Sequence, residues 1–178
     1  MQPEKTKKRI LLKGKTAVFI DWANVYGWTK SIKSEIDISD LYRYLKSYQN
    51  IADISLYFGK DKNIKSENFL MDAGKIGYSV VTKPVKYILI ETLGREKIYR
   101  RKCDFDMEVC IDVHQKIKDN FDSFLFFTGD GDFEPLYRLL IGLKKQVVVV
   151  YTKGHLGKEI WKMKKGIFKV ELENLLDI

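Results

Sequence analysis

The feature that most constrains this chain is the recurrence of short apolar runs, rich in β-branched and aromatic residues, between segments of helical period. Thr16–Asp21 (Thr-Ala-Val-Phe-Ile-Asp), 53–59, 78–85, 123–128 (Ser-Phe-Leu-Phe-Phe-Thr) and Gln146–Tyr151 have the length and composition of strands buried on both faces. Between them, Leu41, Tyr44, Leu45 and Tyr48 repeat at helical spacing behind Ser39 and Asp40 as caps, 65–76 ends at Gly77, and 104–118 and 133–143 read as helices. Parallel strands need crossover connections, so the pattern predicts a three-layer α/β/α fold around a mostly parallel sheet of about five strands. In such sheets the ligand site lies beyond the carboxyl ends of the strands.

The alternation breaks once. The runs 87–90 and 97–101 flank Glu91-Thr92-Leu93-Gly94-Arg95-Glu96, which predicts a basic hairpin inserted near 86–102. Towards the end, 156–163 reads as a short helix, and the alternation Phe168-Lys169-Val170-Glu171-Leu172 as an edge strand. A length of 178 residues suits one domain. We expect it over 16–178, behind a basic flexible N-terminal tail of residues 1–15.

The net charge of +8 is unevenly spread. Residues 1–15 carry +5, residues 83–102 another +5 and residues 144–169 +7, so the remainder sums to −9. Basic segments beside an acidic remainder suit a phosphate-rich polymer whose reacting group is handed to metal ions; each lysine run taken singly is equally well explained as a solvated surface. No apolar run approaches the roughly 20 residues of a membrane span, and the basic start lacks the apolar stretch of a signal peptide. A cytoplasmic protein without a membrane partner is expected. Cys103 and Cys110 have no second Cys or His pair to complete a zinc site, and read as plain thiols.

The acids fall where the fold would gather them. Asp21 ends the first strand, Asp130 and Asp132 follow the strand at 123–128, and Asp104 opens the segment after the hairpin. Clustered carboxylates repel one another unless a hard cation with oxygen ligands holds them, which favours Mg²⁺ or Mn²⁺. In Thr128-Gly129-Asp130-Gly131-Asp132-Phe133 each glycine would let the backbone turn sharply and bring two carboxylates to one point; a turn former at Asp130 and a helix cap at Asp132 are the structural alternatives. Asp104, Glu108 and Asp112 stand four apart and would form one acidic stripe on a helix that is apolar over most of its remaining circumference, and so well buried. Asp106 is a weaker candidate beside them. Asn24 lies one turn beyond Asp21, where it would hold a water, a phosphate or the carboxylate, or serve as a loop amide. Trp22, Tyr26 and Trp28 crowd the same loop, as core or lid packing or as rings on which a base stacks. His114 and His155 are lone, and no serine sits in a strained turn, so a Ser-His-Asp hydrolase gains no support.

Three stretches carry a resemblance. Phe19-Ile20-Asp21-Trp22-Ala23-Asn24, then Lys102-Cys103-Asp104 with Asp112 beyond it, and Thr128-Gly129-Asp130-Gly131-Asp132-Phe133-Glu134-Pro135-Leu136 resemble the successive motifs of the NYN domain family, the LabA-like branch of the PIN-like ribonucleases, over about residues 16–152. The resemblance implies a PIN-like fold and an acidic pocket that binds Mg²⁺ or Mn²⁺ for hydrolysis of RNA phosphodiesters. Its catalytic and metal positions are Asp21, Asp104, Asp130 and Asp132, with Asp112 as a further metal position and Asn24, Thr128 and Asp106 in support. The chain departs from the family at Trp22, Cys103 and Thr128, where a small residue, Gly and Ser are common, while the principal acids remain.

The function expected is therefore a metal-dependent ribonuclease, with endo and exo action left open. RNA would be held by Lys83, Lys86, Arg95, Lys97, Arg100 and Arg101, with Trp22 as a stacking ring. The alternative is a non-catalytic RNA-binding or regulatory module of the same fold; a nucleotide phosphohydrolase is disfavoured by the long basic hairpin. The sequence does not decide between a monomer and a homodimer.

Overall fold

The structure is a computed structural model that describes residues 9–93 and 96–176. In chain order its elements are β1 (Thr16–Asp21), α1 (Trp22–Ile32), α2 (Ile38–Lys46), β2 (Ile51–Lys60), α3 (Ile64–Ile76), β3 (Ser79–Pro84), β4 (Lys86–Leu93), β5 (Glu96–Lys102), α4 (Asp106–Lys118), β6 (Ser123–Phe127), α5 (Glu134–Gly142), β7 (Gln146–Tyr151), α6 (Lys158–Lys162) and β8 (Ile167–Glu171). Six strands form one parallel sheet in the order β3-β2-β1-β6-β7-β8. The sheet has one strand more than the rhythm of the five clear runs suggests, because Ile167–Glu171 adds to the edge beside β7.

The central strands are apolar throughout because both faces are covered. Val18, Ile20, Leu125, Phe127, Val148 and Val150 point to one side, where they pack with Val25 and Trp28 of α1 and Leu41 and Leu45 of α2. The intervening Ala17, Phe19, Phe124, Phe126, Val147 and Val149 point to the other, against Val109 and Val113 of α4, Tyr137 and Leu140 of α5, and Ile160. The chain runs outward from β1 through β2 to β3, then returns to β6 on the opposite flank of β1. The β1–β6 boundary is thus the point where the winding reverses, which in open α/β sheets is where ligands bind, outside the carboxyl ends of the strands.

Three local expectations change. Asp37, not Ser39 or Asp40, caps α2: its Oδ1 accepts the N–H groups of Ser39 at 2.7 Å and Asp40 at 2.9 Å. The aromatic-rich stretch after Asp21 is the helix α1 rather than a loop, with Trp22, Val25 and Trp28 buried at a spacing of three. The basic start is not free as far as Lys15. Ile10 is buried, the Lys13 N–H donates to Gln146 Oε1 at 2.8 Å, and Gln146 Nε2 donates to the Leu11 carbonyl at 2.9 Å. Residues 1–8 lie outside the described residues.

β4 and β5 form a separate antiparallel hairpin. Its base is latched to Asp61 after β2: the Tyr87 hydroxyl donates to Asp61 Oδ2 at 2.6 Å and Arg101 pairs with the same oxygen at 3.1 Å. Among the described residues no helix is long and apolar enough to cross a membrane.

Candidate active site

β1 and β6 pair so that Ile20 stands beside Phe127, and the next residues of both strands follow side by side at their carboxyl ends. Asp21 caps α1. Its Oδ1 accepts N–H groups from Ala23 at 3.1 Å and Asn24 at 3.3 Å, and Asn24 Nδ2 donates to its Oδ2 at 2.8 Å. Asn24 is therefore spent on fixing the Asp21 carboxylate. Burial raises the Asp21 carboxyl above its ordinary value; the bonds from Asn24 and Ala23 oppose this, and the charge of Asp130 adds to it.

Asp130 opens the short 3₁₀ turn Gly131–Phe133, where its Oδ1 accepts the Asp132 N–H at 3.0 Å, and its own N–H donates to Thr128 Oγ1 at 3.2 Å. The glycines around it serve closeness rather than an unusual backbone angle, since neither has a positive φ. The Gly129 carbonyl accepts the Gly157 N–H at 2.7 Å. A Cβ on Gly129 would overlap the His155 carbonyl oxygen, and one on Gly157 would stand 2.6 Å from Gly131 Cα. The carboxylate loop is thus pressed against the loop that follows β7.

Asp106 sits at the start of α4, near enough to the other acids to feel their charge. Burial raises its carboxyl first, and then the charges of Asp130, Asp104, Asp132 and Asp21 raise it further. Asp104 lies on the outer edge, exposed, with Lys102 Nζ 3.2 Å away. Asp112 is turned elsewhere: its Oδ2 accepts the Tyr57 hydroxyl at 2.7 Å. Glu108 takes both of its bonds from Lys83 Nζ, at 2.6 and 2.7 Å. The expected stripe 104/108/112 is not one face, because α4 begins only at Asp106 and Phe105 turns into the core. Nor is α4 well buried, for the apolar side chains of Met107 and Ile111 are exposed.

Of the cations expected to hold RNA, Lys86, Lys97 and Arg100 stand exposed on the hairpin, Arg101 is paired with Asp61, and Lys83 is paired with Glu108. Arg95 lies outside the described residues. Trp22 is buried, its ring centroid 5.1 Å from that of Phe69.

One residue escaped the sequence reading. The Tyr137 side chain is fully buried and its hydroxyl has no hydrogen-bond partner among the described residues. The nearby charges of Asp130 and Asp21, after burial itself, oppose its ionisation. Nothing in the local sequence separates it from an ordinary core tyrosine of α5.

The donor set suits a hard divalent cation: it is all oxygen, and among the described residues no Lys or Arg pairs with Asp21, Asp106, Asp130 or Asp132. As placed, no three His, Cys, Asp or Glu side chains among the described residues stand close enough to hold a metal ion.

The fold defines a class, a parallel three-layer α/β protein with aspartates following the two strands at its switch point. Residues 15–165 match the NYN domain, and the chain belongs to that family, within the PIN-like nuclease superfamily. It is 28% identical over 155 residues to the low amplitude and bright protein LabA of Synechococcus elongatus, across 81% of this chain and 77% of that one. The crystal structure of a protein of unknown function from Vibrio parahaemolyticus shares the fold, with a TM-score of 0.68 at 21% identity over 99% of this chain and 100% of the other.

Proposed function

We propose that the chain is a metal-dependent ribonuclease acting in the cytoplasm, with its centre at Asp21, Asp106, Asp130 and Asp132 and with Asp104 at the rim. The observation that carries this reading is that carboxylates from three separate elements, Asp21 after β1, Asp106 at the start of α4 and Asp130 with Asp132 after β6, lie on one side of the paired strands β1 and β6 and that no Lys or Arg among the described residues is ion-paired with them. Mg²⁺ or Mn²⁺ would supply neutralising charge to the carboxylates and the phosphate and would acidify water. Asn24 holds the Asp21 carboxylate in one orientation, the Asp132 N–H does the same for the Asp130 carboxylate, and Thr128 Oγ1 fixes the loop by accepting the Asp130 N–H. Lys86, Lys97 and Arg100 on the hairpin would hold the RNA backbone, which positions a strand without reading its sequence. Asp112, tied to Tyr57, supports the packing of α4 in this scheme.

A second reading, an RNA-binding or regulatory module without turnover, is favoured by the spacing of the acids, which as placed do not converge on one point. Incubating the protein with labelled RNA in Mn²⁺, in Mg²⁺ and in chelator separates the two. Metal-dependent cleavage lost in Asp130→Asn and in Asp106→Asn, with RNA affinity retained, supports the nuclease. Binding without turnover under all three conditions makes the module the correct reading.

A further inference from the structure

Beside the acid cluster, between α1, α3 and the end of β2, lies a cleft of about 600 Å³ closed by the base of the hairpin. Its wall begins one residue from Asp21, because Trp22 and Ala23 line it and the Ala23 N–H is bonded to Asp21 Oδ1. The floor is aromatic: Phe69 lies 5.1 Å from Trp22 and 4.5 Å from Phe58 between ring centroids, and Tyr26, largely exposed, stands at the mouth. Lys65 supplies positive charge at the rim, where Arg101 is paired with Asp61. Several polar groups of the lining are already engaged. Asp61 accepts from Tyr87, Arg101 and the Lys62 N–H, Asn63 Oδ1 accepts the Ser66 N–H, and Ser66 Oγ accepts the Asp61 N–H.

The cleft has the volume of a ligand pocket, and rings with a cationic rim suit a flat, uncharged group carried on a polyanion. The geometry points to a subsite for one unpaired nucleobase of an RNA strand whose adjoining phosphate reaches the acid cluster, held by stacking and little discriminated by sequence. This rests on the RNA reading of the site above. Every base offers a π-face, so stacking tolerates any sequence, whereas a base inside a duplex is already stacked on both sides. The subsite therefore selects single-stranded or bulged positions.

The test is binding in chelator, where nothing is cleaved, of single-stranded pentanucleotides that each carry one abasic position. The native protein should show one position at which losing the base weakens binding roughly tenfold. In Tyr26→Ala and in Phe69→Leu the intact strand should bind with that weakened affinity, and the abasic strand should lose nothing further. Tyr26 is exposed, so its variant keeps the fold. Equal penalties at all positions, or a single-position penalty that survives in both variants, overturn the subsite. A native protein that binds none of the strands overturns the RNA reading and the subsite together. One that shows the predicted pattern yet cleaves no RNA in Mn²⁺ keeps the subsite and overturns only the nuclease.

Discussion

At the residue scale, the position of Asp130 is decided by how closely two loops approach. Gly129, Gly131 and Gly157 let the loop after β6 lie directly on the loop after β7, so the first contains the carboxylate and the second fixes it. Gly129→Ala would force the backbone at His155 away. Overpacking of that kind costs about 1–3 kcal/mol, so urea denaturation should show a loss in that range and metal-dependent activity should fall with it; an unchanged midpoint would mean that the two loops part easily. Tyr137 makes the opposite case. A buried hydroxyl without a partner costs roughly 1–3 kcal/mol, so Tyr137→Phe should be stabilising in the metal-free protein. A destabilised variant would show instead that the hydroxyl is satisfied, for example by a bridging water beneath Asp21 and Asp130. The sequence made Asp21, Asp130 and Asp132 legible because they follow apolar strands directly. Asp104 and Asp106 are less legible, because the pattern of acids and apolar residues does not reveal that α4 starts only at Asp106.

At the element scale, the hairpin is the part least supported by packing. All the described side chains of β5 are exposed, and the polar hold of its base on the domain runs through Tyr87, Arg101 and Asp61. The Tyr87 hydroxyl and the Lys62 N–H, with Arg101 beyond them, hold the Asp61 carboxyl below its ordinary value. A carboxyl with a lowered folded-state value binds fewer protons folded than unfolded, so its contribution is complete above the ordinary Asp range and is lost as pH falls through the lowered value. Hydrogen-exchange protection of β4 and β5 amides, relative to β6, should therefore decline as pH falls through that window. Asp61→Asn should abolish this decline and show low hairpin protection throughout; a native hairpin with constant protection would assign the hold to apolar contact. The hairpin was legible as a break in the βα rhythm, and the central strands as runs apolar on both faces. α1 was not, because Trp22, Val25 and Trp28 form a narrow stripe interrupted by exposed Tyr26 and Gly27.

At the scale of the whole molecule, the basic hairpin and the carboxyl ends of the helices lie at opposite ends of the strands. The acids and the hairpin lie at the carboxyl ends of the strands, whereas Lys46, Lys75 and Lys118 stand in or beside the last turns of α2, α3 and α4, which return the chain to the opposite end of the sheet. An RNA strand drawn to the acid cluster would meet Lys86, Lys97 and Arg100 and would not reach those three helix ends. Each phosphate contact on single-stranded RNA releases counterions and contributes about 0.7 to the slope of log affinity against log salt. Replacing Lys86, Lys97 and Arg100 by Ala should thus flatten that slope by about 2, and should weaken binding at low salt more than at high salt. The control triple Lys46→Ala, Lys75→Ala and Lys118→Ala removes the same formal charge, giving up only small favourable interactions with helix carboxyl ends, and should leave the slope as it was. If both triples flatten it equally, RNA responds to the net charge of +8 rather than to the hairpin, and the strand has no fixed path over the site. If neither does, the contacts that bind RNA are not phosphate contacts at these positions, and the hairpin must be assigned another role.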